Sequence, residues 1–167
     1  MYYFFSGRGI DIGCDRDPIT PDAITHDKIY GFDASDLSRY PNECFDFVYS
    51  SHCLEHLVDP TLAVKEWWRV VKKGGHLIIV VPHFALYEKK VLPSRFNSDH
   101  KWGFTLKELS KNIFSGKLIQ DFQLMRLQTN DTGFNYNDKR VDQTTRGAQA
   151  EIEVILKKVR DTFWSDV

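Results

Sequence analysis

Five consecutive apolar residues, Leu77-Ile78-Ile79-Val80-Val81, constrain this chain more than any other feature. The run is continuous, not alternating, which suits a strand covered on both faces in the middle of a parallel sheet. Asp59-Pro60, upstream, has the form of a helix start, with proline tolerated in the first turn. Ala63, Val64, Trp67, Trp68, Val70 and Val71 then follow the i, i+3, i+4, i+7 spacing of one buried helical face. Lys72-Lys73 suits the negative end of the helix dipole, and Gly74-Gly75 supplies a stop. Phe45 to Tyr49 reads as the strand before this helix. Two parallel strands joined by a helix need a right-handed crossover, so the pattern predicts an α/β sheet.

Shorter strands precede this unit. Ile10-Asp11-Ile12 lies between Gly9 and Gly13, and Ala23-Ile24-Thr25 and Ile29 to Phe32 are further candidates. Beyond Pro82 a long aromatic and basic connection runs to Trp102, followed by a helix expected over Leu106 to Ile113. Lys117 to Leu127 and Glu151 to Val159 alternate as strands do, with a helix the alternative for the second, and the polar stretch 129–149 between them is long enough to be a flexible loop. The 167 residues fit one domain, 1–167, that folds as a monomer or a small oligomer such as a homodimer.

Charge and cysteine usage narrow the function classes. Twenty-two Lys and Arg face 23 Asp and Glu, so no global field exists to hold a polyphosphate, and nucleic acid is not an expected partner. Cys14, Cys44 and Cys53 form no CxxC pair and leave one over in any disulfide scheme, which points to a reducing, cytoplasmic compartment. Met1 to Phe5 is too short for a signal core, and no apolar run approaches the roughly 20 residues of a membrane span.

Gly7, Gly9 and Gly13 do not have the spacing of a G-x-G-x-x-G nucleotide turn. The order of residues says more: a strand with an acid, a glycine turn at Gly13-Cys14, then Asp27 at the end of the next strand. In open parallel sheets ligands bind beyond the carboxyl ends of the strands, where strand order reverses. A carboxylate there can accept both hydroxyls of a ribose; alternatively, Asp27 is a surface turn residue.

Four stretches in this order, Ile10-Asp11-Ile12-Gly13-Cys14, Phe32-Asp33-Ala34-Ser35-Asp36-Leu37, Phe45 through Leu57, and Trp68 through Gly75, resemble the successive motifs of class I S-adenosylmethionine-dependent methyltransferases. The resemblance covers about Gly9 to His83, and the chain looks like a short member of the type 11 kind. It implies a Rossmann-like α/β fold: a mostly parallel twisted sheet, usually of seven strands, with an antiparallel C-terminal strand and flanking helices. The segment between Gly13 and Phe45 is too short for two full helices, so the first helices should be reduced to turns. The implied cofactor is S-adenosyl-L-methionine. By the same similarity Gly13 and Cys14 approach its methionine part with Asp11 in support, Asp27 holds the ribose, Asp33 and the backbone of Ala34 take the adenine, and Ser50, Ser51 and His52 form the floor. Asp15 stands where the family usually has a second glycine.

Methyl transfer is a single in-line displacement, so the protein contributes mainly positioning, with a base only where the acceptor must lose a proton. Histidine is the usual base near neutral pH, and His52 and His83 are the catalytic candidates. His56, Tyr87, Arg95, Asn97 and His100 are candidates for holding the acceptor, the last four within an acceptor-side loop or lid spanning 83–104. That acceptor could be a small molecule, a glycan or a protein. Two other readings compete. His52-Cys53-Leu54-Glu55-His56 matches H-x-x-E-H, the inverted zinc-peptidase motif, which needs a helix through the motif and a third ligand. The chain is small for that architecture, and no metal is expected. A truncated pocket would instead suit a catalytically inactive binding or scaffold module.

Overall fold

A computed structural model describes residues 2–113, 119–138 and 142–159. The strands are β1 (Gly9–Ile12), β2 (Ile24–His26), β3 (Phe45–Ser51), β4 (Val71–Pro82), β5 (Phe122–Asn130) and β6 (Glu151–Lys158), and the helices are α1 (Pro60–Val70) and α2 (Leu106–Ile113). They form one six-stranded sheet in the order β2-β1-β3-β4-β6-β5. β2, β1, β3 and β4 run parallel, whereas β6 inserts antiparallel between β4 and β5. This is the Rossmann-like methyltransferase architecture the sequence implies. The described residues contain six strands, not seven.

β4 carries the continuous apolar run and lies inside the sheet, with Leu77, Ile79 and Val81 facing one core and Ile78 the other. The larger core packs α1 against the sheet through Ala63, Val64, Trp67 and Val70, all fully buried. Asp59 caps α1 by accepting from Thr61 N and Leu62 N at 2.9 and 3.0 Å, and Pro60 occupies its first turn. On the opposite face Phe4 and Phe5, from the turn Tyr2–Phe5, cover Phe47 and Ile155.

Three elements differ from the sequence reading. Ile29 to Phe32 is no strand: Asp27 caps a 3-10 turn over Lys28–Tyr30, and Gly31, at φ 81°, ends it. Ile29 and Tyr30 are exposed there, so their apolar character marks no core position. The glycines Gly74-Gly75 do not stop α1. The helix ends at Val70 and β4 begins at Val71, with Gly74 at φ 86° where the pairing of β3 with β4 shifts register. The strand expected from Lys117 begins at Phe122; Lys117 and Leu118 lie outside the described residues. No helix among the described residues is long and apolar enough to cross a membrane.

Candidate functional site

The order β2-β1-β3 makes the chain reverse direction across the sheet at β1, and the crevice that this opens lies beyond the carboxyl ends of those strands. A cleft of about 580 Å³ occupies it. Gly13 and Asp27 line one side, Phe32, Asp33 and Ala34 a second, and His52, Cys53 and His56 a third. That size falls within the range of small-molecule sites.

Each wall has a local cause. Gly13 sits at φ 78° and donates to His26 O at 3.0 Å, tying the end of β1 to the end of β2. A Cβ there would stand 2.6 Å from Cys53 Cβ, so only glycine fits between the two walls. Asp15 occupies the left-handed region at φ 49°. Aspartate tolerates that region better than most residues. Asp27 accepts from Asp15 N at 3.0 Å through Oδ2 and from Ile29 N at 2.9 Å through Oδ1. Its carboxylate thus fixes the two loops bordering the cleft, with further lone pairs left to accept.

The Asp33-Ala34 strip is held from behind by the core. Trp67 Nε1 donates to Ala34 O at 2.7 Å, and His26 Nε2 lies 2.8 Å from Asp33 O. Asp33 Oδ1 accepts from Ser35 N at 2.8 Å. The Ala34 N–H makes no hydrogen bond among the described residues. His26 stacks on Phe32 with ring centroids 5.0 Å apart and also lines the cleft.

Asp11 and Ser50 lie beneath the cleft, outside its lining. Asp11 is buried and accepts from Ile19 N at 2.7 Å. Burial first, with the Asp27 and Asp17 charges adding to it, pushes its pKa up to about 6. Between pH 3.8, the ordinary value, and pH 6 the folded chain therefore binds more protons than the unfolded one, so stability falls as pH rises. The stabilisation from this group is complete below pH 3.8 and lost above 6, roughly 3 kcal/mol in all. Urea titrations across this window are expected to show a steeper loss for the wild type than for Asp11→Asn; parallel curves would contradict the assignment. Ser50 Oγ donates to Ile12 O at 2.9 Å, joining β1 to β3. Ser51 belongs to β3, paired with Val80, and Cys14 lies next to the turn; neither lines the cleft.

Of the two histidines proposed as a base, His52 lines the cleft and His83 does not; His56 and His26 line it as well. His83 Nδ1 accepts from Ala85 N at 3.0 Å, which leaves the ring proton on Nε2 of a neutral imidazole. Burial lowers its pKa further. His52 is half-exposed and its Nε2 lies 3.2 Å from Glu151 Oε2. Burial opposes its charge, but the Glu151 hydrogen bond and the Glu55 carboxylate outweigh that and raise its pKa. Burial pushes the Cys53 thiol up to about 12, so it packs against Gly13 as an inert group.

The 83–104 loop is pinned against the floor. Lys101 N and Trp102 N both donate to Glu55 O at 2.8 and 3.2 Å, and Trp102 Nε1 donates to Leu57 O at 2.9 Å. Lys101 Nζ donates to His56 O. His100 is buried, its Nδ1 2.5 Å from Glu88 Oε1, and Tyr87 packs beside it with ring centroids 5.6 Å apart. Asn97 spends its side-chain oxygen on Asp99 N at 3.1 Å, and Arg95 is exposed. None of Tyr87, Arg95, Asn97 and His100 lines the cleft, whereas Asp99 and Lys101, which sequence reasoning passed over, do. Their signal was adjacency to His100 in a loop already suspected. The H-x-x-E-H stretch forms a 3-10 turn over Leu54–His56, with His52 at φ 51°, and is not helical as a zinc-peptidase motif requires. Glu55 within it is fully buried, and burial pushes its pKa up to about 7.

Comparisons with known proteins bear on sequence similarity and fold. The sequence profile of the family described as methyltransferase domain matches residues 9–79. Ajmaline N-methyltransferase from Rauvolfia serpentina is 44% identical over 48 residues, which span 29% of this chain and 16% of that protein, about a sixth of its length. Among solved structures, a SAM dependent methyltransferase from Archaeoglobus fulgidus superposes with a TM-score of 0.60 at 17% identity, covering 94% of this chain and 89% of that one. A chain from the Haloferax volcanii complex of a methyltransferase with its activator gives 0.61 at 13% identity, covering 93% and 83%. In its motifs over residues 9–79 this chain is similar to the methyltransferase-domain family, and in its strand order it shares the fold of S-adenosylmethionine-dependent methyltransferases.

Proposed function

We propose that the cleft binds S-adenosyl-L-methionine and that the domain transfers its methyl group to an acceptor presented from the side of the 83–104 loop. The observation carrying this reading is the joint placement of Gly13, Asp27 and the Asp33-Ala34 strip around one crevice at the strand-order reversal. The residues fit the cofactor. The Ala34 N–H and the Asp33 carboxylate suit the two edges of an adenine, Asp27 suits ribose hydroxyls, and Gly13 lets backbone come close without a Cβ. Three carboxylates, Asp27, Asp33 and Asp99, face the cleft, against Lys28 and Lys101. A sulfonium cation is favoured by that balance.

When bound, the cofactor supplies an electrophilic methyl group; the chain's own residues supply orientation and water exclusion. His52, held by Glu151, is the group that accepts a proton where the acceptor must lose one, and Glu151 positions its ring. The acceptor class remains a small molecule, a glycan or a protein, and the anchored loop is the wall that would select it.

Thermal unfolding with S-adenosylhomocysteine tests the reading. At about 100 times the dissociation constant a ligand stabilises a fold by roughly 2.7 kcal/mol, and for a domain near this size each kcal/mol moves the midpoint by roughly 2–4 °C. An upward shift of several degrees is expected, and it should be absent in Asp27→Ala. No shift in the wild type at millimolar ligand would favour the inactive binding module.

A further inference from the structure

Behind the wall that His56 gives to the cleft, two neighbouring side chains of the turn after β3, Glu55 and His56, meet His100 from the 83–104 loop. Glu55 Oε1 lies 3.8 Å from His56 Nε2 and 3.8 Å from His100 Nε2. Both oxygens of the Glu55 carboxylate are buried and neither has a hydrogen-bond partner among the described residues. A carboxylate is not left so in a protein interior without compensation. Each histidine, moreover, has its other nitrogen held by an acid: His56 Nδ1 lies 3.1 Å from Asp99 Oδ2 and His100 Nδ1 lies 2.5 Å from Glu88 Oε1. That arrangement fixes both rings with Nε2 turned toward Glu55. It is the carboxylate-histidine pairing that orients imidazoles toward a metal ion.

We infer that Glu55, His56 and His100 form a binding site for a divalent transition-metal ion, best suited to Zn²⁺. The three ligand atoms lie within 4.8 Å of one another. Bonds of 2.0–2.2 Å to a tetrahedral zinc would separate such atoms by roughly 3.4 Å, so binding asks each Glu55–histidine pair to close by a few tenths of an ångström and the two imidazole nitrogens by up to roughly 1.4 Å, a side-chain adjustment between groups already gathered together. Two imidazoles and one carboxylate are a donor set for zinc, not for calcium or magnesium, which prefer oxygen. His52 Nδ1 is also 3.8 Å from Glu55 Oε1 but stands outside the mutually close set. The ion would tie the turn after β3 to the 83–104 loop, locking the acceptor-side wall onto the cofactor cleft. The role is that of a positioning tie, and it differs from the hydrolytic reading of the H-x-x-E-H motif, in which His52 would be a ligand and Glu55 the base.

The test equilibrates the full chain with Zn²⁺, dialyses it against metal-free buffer and counts bound metal by mass spectrometry, with Co²⁺ as a spectroscopic substitute. The site predicts one Zn²⁺ per chain, a Co²⁺ absorption spectrum of low coordination number, and loss of both in His56→Ala and in His100→Ala. Glu88→Gln, which alters only the support of His100, should weaken affinity 10–100-fold. Should His100→Ala fail to fold, the wild-type stoichiometry and the Glu88→Gln titration still decide. Substoichiometric metal in the wild type, or full binding retained in both histidine variants, overturns the site. The S-adenosylhomocysteine shift measured on the same samples keeps this outcome separate from that of the cofactor reading.

Discussion

Trp67→Ala is expected to remove about 3–5 kcal/mol of stability, the range for emptying a fully buried tryptophan position. For a domain near this size that is a drop of roughly 6–20 °C in the unfolding midpoint. The effect reaches function because Trp67 belongs both to the core and to the site: its ring fills the space between α1 and the sheet, and its Nε1 anchors Ala34 O. Trp67→Phe separates the two roles. It keeps most of the packing, removes the donor, and should cost roughly 1–3 kcal/mol for the carbonyl left without its partner. Its larger consequence is at the cleft, where Ala34 would no longer be held to present its N–H. Calorimetric titration with S-adenosylhomocysteine should therefore show weaker binding in Trp67→Phe at a temperature where the variant is folded. Unchanged affinity would mean that the Asp33-Ala34 strip does not touch the ligand.

Gly13→Val acts at the opposite wall. The backbone there lies at φ 78°, where a β-branched residue is strained by roughly 1–3 kcal/mol. The new Cβ would also meet Cys53 Cβ at 2.6 Å and Cys53 Sγ at 2.8 Å. Relieving that clash means moving the turn away from Cys53 and breaking the bond to His26 O. Overpacking of this kind adds another 1–3 kcal/mol or so. The cofactor-induced thermal shift should vanish. Cys53→Gly placed in the Gly13→Ala background should recover the steric part and leave the φ penalty, so a full recovery would show that conformation is not what glycine supplies there.

How much of this could be read in the sequence depends on the range of the interaction. The Leu77–Val81 run and the α1 face are local patterns whose period reports burial directly, and both stand in the structure buried as the spacing predicts, except that Val71, counted in the helical face, opens β4, and that β4 has a parallel neighbour on one side only. Ile29 to Phe32 shows where that logic stops. Its apolar residues mimic a strand, but the capping carboxylate of Asp27 and the left-handed Gly31 wind the segment into a turn and leave Ile29 and Tyr30 outside. Gly74-Gly75 misled in the same way, because a glycine pair marks a backbone irregularity without saying whether it ends a helix or bends a strand.

The cleft was legible in its order of motifs, since Gly13, Asp27, Asp33 and Ala34 are brought together by strand connectivity alone. Glu55, Glu88, Asp99 and His100 were not legible as a group. They meet because the loop after β4 folds back on the turn after β3, a pairing across more than forty residues that no periodicity records. Buried acids inside aromatic stretches, Glu88 above all, were the available signal: a carboxylate is rarely buried unless something pairs with it.

The structure of the chain bound to S-adenosylhomocysteine tests the central claim most directly. The adenine is predicted against Ala34 N–H and Asp33, the ribose at Asp27, and the sulfur between Gly13 and His52. Ligand found elsewhere, for instance in the separate groove bordered by Val58 and Trp102, would contradict the assignment of the crevice at the end of β1.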